Sequence, residues 1–336
     1  MDQPAVKTSL IDITNKLKDP PCRIVLKCEY EQPSGSFKLR GMGYLVALSI
    51  DKARKEKKEG IHVFSSSGGN AGLAAAYASK YFNVPCTVVL PVSSKAVVHE
   101  KLRSLGANVV IHGNHWGEAD DYLRTTVIPS IDKSVSPVYC HPFDNPLLWD
   151  GHAAFIDEII TENQLTADEL KKVRAVVCSV GGGGLYNGVV TGLERNPQLK
   201  NVPVISIETH QAPTFQVSLE AGELTHLKTI NTISTSLGSP YISQASLDNY
   251  KSHSTFHEVI DDVEAARGVV DFYDVSQTFT EPACGASLSV AFDRTDLLLK
   301  NLDNLAKDDI VIIVACGGSG TNSETLAEYR KLAEKK

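Results

Sequence analysis

Apolar runs of strand length recur along almost the whole chain, each closing on small or turn-forming residues and opening into a helical pattern. "IHVFSSSGGN" leads into "AGLAAAYASKYF", "CTVVLP" into "SKAVVHEKLRSLG", and "ANVVIHG" into "GEADDYLRTTV". "SPVYCHPF" precedes the longer helical stretch "PLLWDGHAAFIDEIITE". Further on, "RAVVCSVGGGG" feeds "LYNGVVTGLER", "VPVISIETH" feeds "TFQVSLEAGEL", and "DDIVIIVACGGSG" feeds "SETLAEYRKLAEKK". This rhythm is that of parallel β–α–β units, whose ligands sit at the C-terminal ends of the strands. It points to an α/β fold of two open twisted sheets with flanking helices. One domain is expected over residues 41–145, and a larger one combines residues 1–40 with 146–336. No linker rich in Pro, Gly or Ser marks the division.

The 336 residues suffice for one large or two ordinary domains. A charged fraction of 22% and a formal charge of −7 give no nucleic-acid footprint. No apolar stretch is long enough to span a bilayer. The N-terminal "MDQPAVKTSLIDITNKL" lacks the basic-then-apolar order of a secretion signal. The seven cysteines are widely spaced, odd in number and without a C-x-x-C. They read as reduced thiols of a cytoplasmic protein.

Three turns and one lysine carry the candidate chemistry. Lys38, in "EQPSGSFKLRGMG", stands almost at the start of a helix, where the helix dipole disfavours a cation. "SVGGGGL" (179–185) removes four consecutive side chains between a strand and a helix, so backbone N–H groups can close on a phosphate. "FSSSGGNAG" (64–72) offers hydroxyls, amides and Asn70 at another helix start, which suits a carboxylate. "VACGGSG" (314–320) places Cys316 at the end of an apolar run, where a thiol alone reads as core. Gly184 and Gly188 give an imperfect dinucleotide fingerprint, and Glu208 ends the next strand about where a ribose-binding acid belongs. On these residues an NAD-dependent oxidoreductase stays open.

A phosphate cradle, a carboxylate cradle and a lysine held where its ammonium is disfavoured form the combination a pyridoxal phosphate site needs. "PSGSFKLRG", "SSSGGNAGLAAAYA", "SVGGGGL" and "EPACGA…VACGGSG", in that order, resemble the fold type II (tryptophan synthase β-like) pyridoxal phosphate enzymes. The match is to the catabolic L-serine dehydratase/L-threonine deaminase family. The resemblance implies a large cofactor-binding domain and a small substrate-binding domain. It makes Lys38 the Schiff-base lysine and packs Phe37 and Ser236 on the two faces of the pyridine ring. Gly181, Gly182, Gly183, Gly184 and Leu185 would hold the phosphate. Asn70 would bond the 3′ oxygen, and Cys316 would face the ring nitrogen. Ser67, Gly68, Gly69 and Asn70 would line the substrate carboxylate. Glu208, Ala212, Leu237 and Ser239 match positions that bind a monovalent cation, potassium. This moves Glu208 from ribose acid to cation ligand.

Two positions separate relatives. Racemases of this fold resemble "S-S-G-N", with a serine as second acid/base on the far side of Cα, and here the sequence reads "S-G-G-N" with Gly68 in that place. Synthases, racemases and biosynthetic threonine deaminases commonly face the ring nitrogen with Ser or Thr, and Cys316 favours the catabolic branch. The resemblance therefore implies deamination of L-serine to pyruvate and of L-threonine to 2-oxobutanoate by a homodimer. Racemisation and β-replacement are the alternatives within the fold. No isoleucine-responsive regulatory domain is expected.

Overall fold

The computed structural model describes residues 2–334. Its strands are β1 (Leu10–Asp12), β2 (Arg23–Lys27), β3 (Gly60–Ser65), β4 (Cys86–Leu90), β5 (Asn108–Ile111), β6 (Val135–Tyr139), β7 (Val173–Ser179), β8 (Val204–Thr209), β9 (Thr255–Ile260) and β10 (Ile310–Val314). They form two sheets, and the chain divides into two compact units.

The first unit holds the residues up to Val6 together with Gln32–Gly151. Its sheet has the order β5-β4-β3-β6, and every pair is parallel. Successive side chains of a strand point to opposite faces. Val63 and Val88 accordingly join one core with the helices Lys38–Lys55 and Asn70–Phe82, while Phe64 and Val89 join another with Ala119 and Leu123. Residues 32–40 cluster with this unit, whereas the sequence pattern grouped them with the larger sheet. The cause is Leu39, Met42 and Val46, which anchor the helix starting at Lys38 in the smaller core.

The second unit holds Lys7–Glu31 and the chain from His152 onward. Its sheet has the order β1-β2-β10-β7-β8-β9, parallel except for the antiparallel edge strand β1. Every residue of β8 and β10 is buried, as expected of parallel strands covered on both faces. All seven cysteines are buried free thiols. Among the described residues no helix is long and apolar enough to cross a membrane.

Both strand orders reverse once. In the first sheet the chain runs outward through β3, β4 and β5, then returns to lay β6 on the other side of β3. In the second it runs through β7, β8 and β9, then returns to lay β10 beside β7. At such a reversal two neighbouring loops part at the strand C-termini and leave a crevice, the usual ligand site of an open α/β sheet.

Candidate active site

In the second unit the reversal lies between the loops after β7 and β10, and these are the glycine turn and the Cys316 turn. The Ser179 hydroxyl and the Cys316 thiol stand 3.7 Å apart there. The helix Gly184–Arg195 starts from Gly183 with no side chain capping it. Its first amides have no acceptor within the helix. Gly183 holds φ +91°, and a Cβ on it would lie 1.9 Å from Ser246 Oγ. A Cβ on Gly181 would lie 2.9 Å from Leu237 Cα. The turn is therefore a tightly built row of donors and not a flexible link, and it fits a phosphate. Around Cys316 the other thiols stay protonated. Burial pushes Cys178 up. Burial first, and then a hydrogen bond to Cys316, push Cys284 well above the ordinary thiol range.

Ser236 Oγ donates to Glu281 Oε2 at 2.6 Å, and Gly320 N donates to Glu281 Oε1 at 2.8 Å. Glu281 thus ties the Ser236 loop to the loop that follows Cys316. The sequence reading passed over it, although it begins the "EPACGA" motif.

Glu208 is fully buried and accepts from Phe215 N (2.9 Å), Gln216 N (2.7 Å) and His257 Nε2 (3.0 Å). Its two oxygens face a helix start and an imidazole, with lone-pair capacity left over. Thr214 joins two of the other positions assigned to a cation. Its amide donates to Ala212 O at 2.9 Å, and its hydroxyl donates to Ser239 O at 2.7 Å. Ser239 N in turn donates to Leu237 O at 2.7 Å. Ala212, Leu237 and Ser239 are thus linked by hydrogen bonds, whereas Glu208 bonds the two amides that follow Thr214.

In the first unit the reversal lies between the loops after β3 and β6. The first of these is the serine–glycine loop. Ser67 Oγ accepts from Gly69 N at 3.2 Å, and Asn70 opens the helix behind it. Gly72 makes this turn buildable, because a Cβ there would sit 1.7 Å from Ser67 O. A Cβ on Gly68 would point at Val98 (3.2 Å) and Leu90 (3.3 Å). Buried Asp120 braces the two loops. It accepts from Ser66 Oγ (2.7 Å), Tyr139 OH (2.5 Å) and Arg124 Nε (2.9 Å).

Lys38 is the first residue of its helix, as the sequence spacing indicates, with buried Phe37 as N-cap. Its Nζ lies 5.0 Å from the Phe37 ring centroid and donates to Pro142 O at 2.5 Å, in the loop after β6. His141 adjoins that carbonyl. Burial lowers its pKa to about 4, with Lys38 and Arg124 adding to the effect and Asp120 opposing it, so the ring is neutral at ordinary pH. Asp120, on the helix Trp116–Tyr122, and His141 and Pro142, after β6, were not legible as site residues; only the strand order brings the loop after β6 beside the serine turn.

Each unit thus carries a candidate ligand loop at its own sheet reversal, a row of glycine amides in the larger and a lysine beside a serine turn in the smaller. A family model described as pyridoxal-phosphate dependent enzyme matches residues 1–317, and the chain belongs to that family. Within it, the catabolic L-serine/threonine dehydratase of Saccharomyces cerevisiae is 42% identical over 312 residues, 93% of this chain and 87% of that protein. The L-serine dehydratase/L-threonine deaminase of Homo sapiens is 35% identical over 331 residues, covering 98% of this chain and 94% of that one. The crystal structure of a fungal L-serine ammonia-lyase from Rhizomucor miehei matches with a TM-score of 0.85 at 31% identity, covering 98% of this chain and 99% of that one.

Proposed function

We propose that this chain deaminates L-serine to pyruvate and ammonia, and L-threonine to 2-oxobutanoate and ammonia. The observation that carries the reading is the uncapped, Cβ-intolerant glycine turn at the reversal of the larger sheet, with Cys316 beside it. Pyridoxal phosphate, when bound, supplies an electron-accepting ring that stabilises negative charge at the substrate Cα.

The chain's own residues do the rest. The amides of Gly181, Gly182, Gly183, Gly184 and Leu185 would hold the phosphate. Phe37 and Ser236 would flank the ring, Asn70 would bond its 3′ oxygen, and Cys316 would face its nitrogen, as the resemblance implies. Ser67, Gly69 and Asn70 bind the substrate carboxylate and so fix the direction of the Cα–H bond. Lys38 would attach the cofactor and, as a free amine, would take the proton from Cα as general base. Net loss of water, made from the β-hydroxyl and the proton taken from Cα, would follow. Gly68 offers no hydroxyl from which the opposite face of Cα could be reprotonated, so elimination prevails over racemisation.

Potassium at Glu208, Ala212, Leu237 and Ser239 belongs to the same proposal on the resemblance, and Thr214, bonded to Ala212 O and Ser239 O, holds two of these positions together. A cytoplasmic location, supported by seven free thiols, and a homodimer, which rests on the resemblance, belong to it as well.

Pyruvate and 2-oxobutanoate formation from serine and threonine, with and without potassium, tests the activity. Purified protein is expected to carry a visible absorption band, and Lys38→Ala is expected to abolish both band and turnover. A colourless active enzyme, or normal ammonia release by the variant, would sink the assignment.

A further inference from the structure

The "CHPFD" segment has no role in the function above, yet it supplies an acceptor for Lys38. His141 Nδ1 accepts from Asp144 N at 2.7 Å and from Phe143 N at 3.3 Å. A side chain that takes the amides two and three residues ahead closes a tight turn, as Asp and Asn do elsewhere. Because Nδ1 accepts, the ring proton of the neutral imidazole is on Nε2. The residue enclosed by this turn, Pro142, presents its carbonyl oxygen to Lys38 Nζ at 2.5 Å. On the far side of the turn Trp149 Nε1 donates to Phe143 O at 2.8 Å.

We propose that His141 is a positioning residue for proton removal, folding the 141–144 turn so that the Pro142 carbonyl receives the ammonium formed on Lys38. The inference rests on the reading of Lys38 as the base. In that step the Cα–H bond breaks, its proton bonds to Nζ, and its electron pair remains on the substrate side. The charge that appears on Nζ meets a fixed carbonyl dipole. A hydrogen bond to the charged form favours that form. The helix start opposes it. The two fixed effects act on Nζ in opposite directions, and the carbonyl supplies the stabilisation that the ammonium needs once the proton has arrived.

The test compares His141→Leu, which cannot accept, with His141→Asn, whose side-chain oxygen can take the same two amides. In His141→Leu, kcat for serine is expected to fall about tenfold, the worth of one charge-assisted hydrogen bond, with KM within about twofold. Deuterium at Cα of serine should slow that variant more than the parent, because proton removal becomes limiting. Affinity of the apoenzyme for pyridoxal phosphate, read by visible absorbance, should not change. His141→Asn should restore kcat and the isotope effect. The proposal is overturned if His141→Leu keeps the parent kcat, if its loss lies in KM or cofactor affinity, or if His141→Asn is as impaired as the leucine variant. Should the leucine variant not fold, the asparagine variant alone decides by the same measurements. Turnover by Lys38→Ala would instead overturn the function on which this rests. A dead Lys38→Ala beside an unaffected His141→Leu overturns only the role of His141.

Discussion

Gly72 faces the carbonyl oxygen of Ser67 so closely that a Cβ on it would lie 1.7 Å away. The first turn of the helix Asn70–Phe82 and the proposed carboxylate loop are thereby one unit, with no slack between them. Gly72→Ala must push that carbonyl outward. Overpacking of this kind costs about 1–3 kcal/mol. The expected result is a lowered urea midpoint together with a KM for serine raised about tenfold as Ser67 leaves its place. An unchanged KM would separate Gly72 from substrate binding.

Gly183 and Gly222 both hold positive φ, at +91° and +71°, but only Gly183 has neighbours in the way of a Cβ. Alanine at 222 should cost about 1 kcal/mol of backbone strain and leave cofactor affinity alone. Alanine at 183 collides with Ser246 and displaces the amides, so pyridoxal phosphate should bind the apoenzyme at least about tenfold more weakly. Titrating both variants with the cofactor by visible absorbance checks the contrast.

Gly68→Ser introduces the hydroxyl that racemases of this fold carry. Its Cβ meets Val98 and Leu90 at 3.2 and 3.3 Å, contacts that a shift of a few tenths of an ångström relieves. The variant should fold and release D-serine above the parent's level, measured by chiral chromatography after incubation with L-serine. No rise would show that the opposite face lacks more than a hydroxyl.

The native His141 is neutral, its pKa lowered from 6.5 to about 4, chiefly by burial. A depressed histidine pKa means that the unfolded chain binds the proton more readily than the fold does. The associated stability is complete above about pH 6.5 and is lost as pH falls towards 4. His141→Asn removes this term. Its urea midpoint should therefore decline less than the parent's between about pH 7.5 and about pH 4.5. Equal declines would contradict the burial of a neutral ring.

The alternation of apolar runs and helices, the four glycines from Gly181 to Gly184, and the lysine at a helix start are local features. Short-range chemistry settles them: strands need apolar runs, amides need bare glycines to reach an anion, and the helix beginning at Lys38 is set by its own periodicity. The class of fold and a phosphate-holding turn were accordingly legible in the chain, while pyridoxal phosphate itself came from the resemblance of the motifs to a known family. Other features depend on which strands become neighbours. Pairing β10 with β7 sets Cys316 beside Ser179, and pairing β6 with β3 sets Pro142 against Lys38. The same pairings give Asp120 and Glu281 their bracing roles. Strand order follows from the burial of whole sheet faces by residues far apart in sequence, and no local pattern encodes it. The amino-acid sequence determined what the loops can hold, and the tertiary structure decided which loops meet.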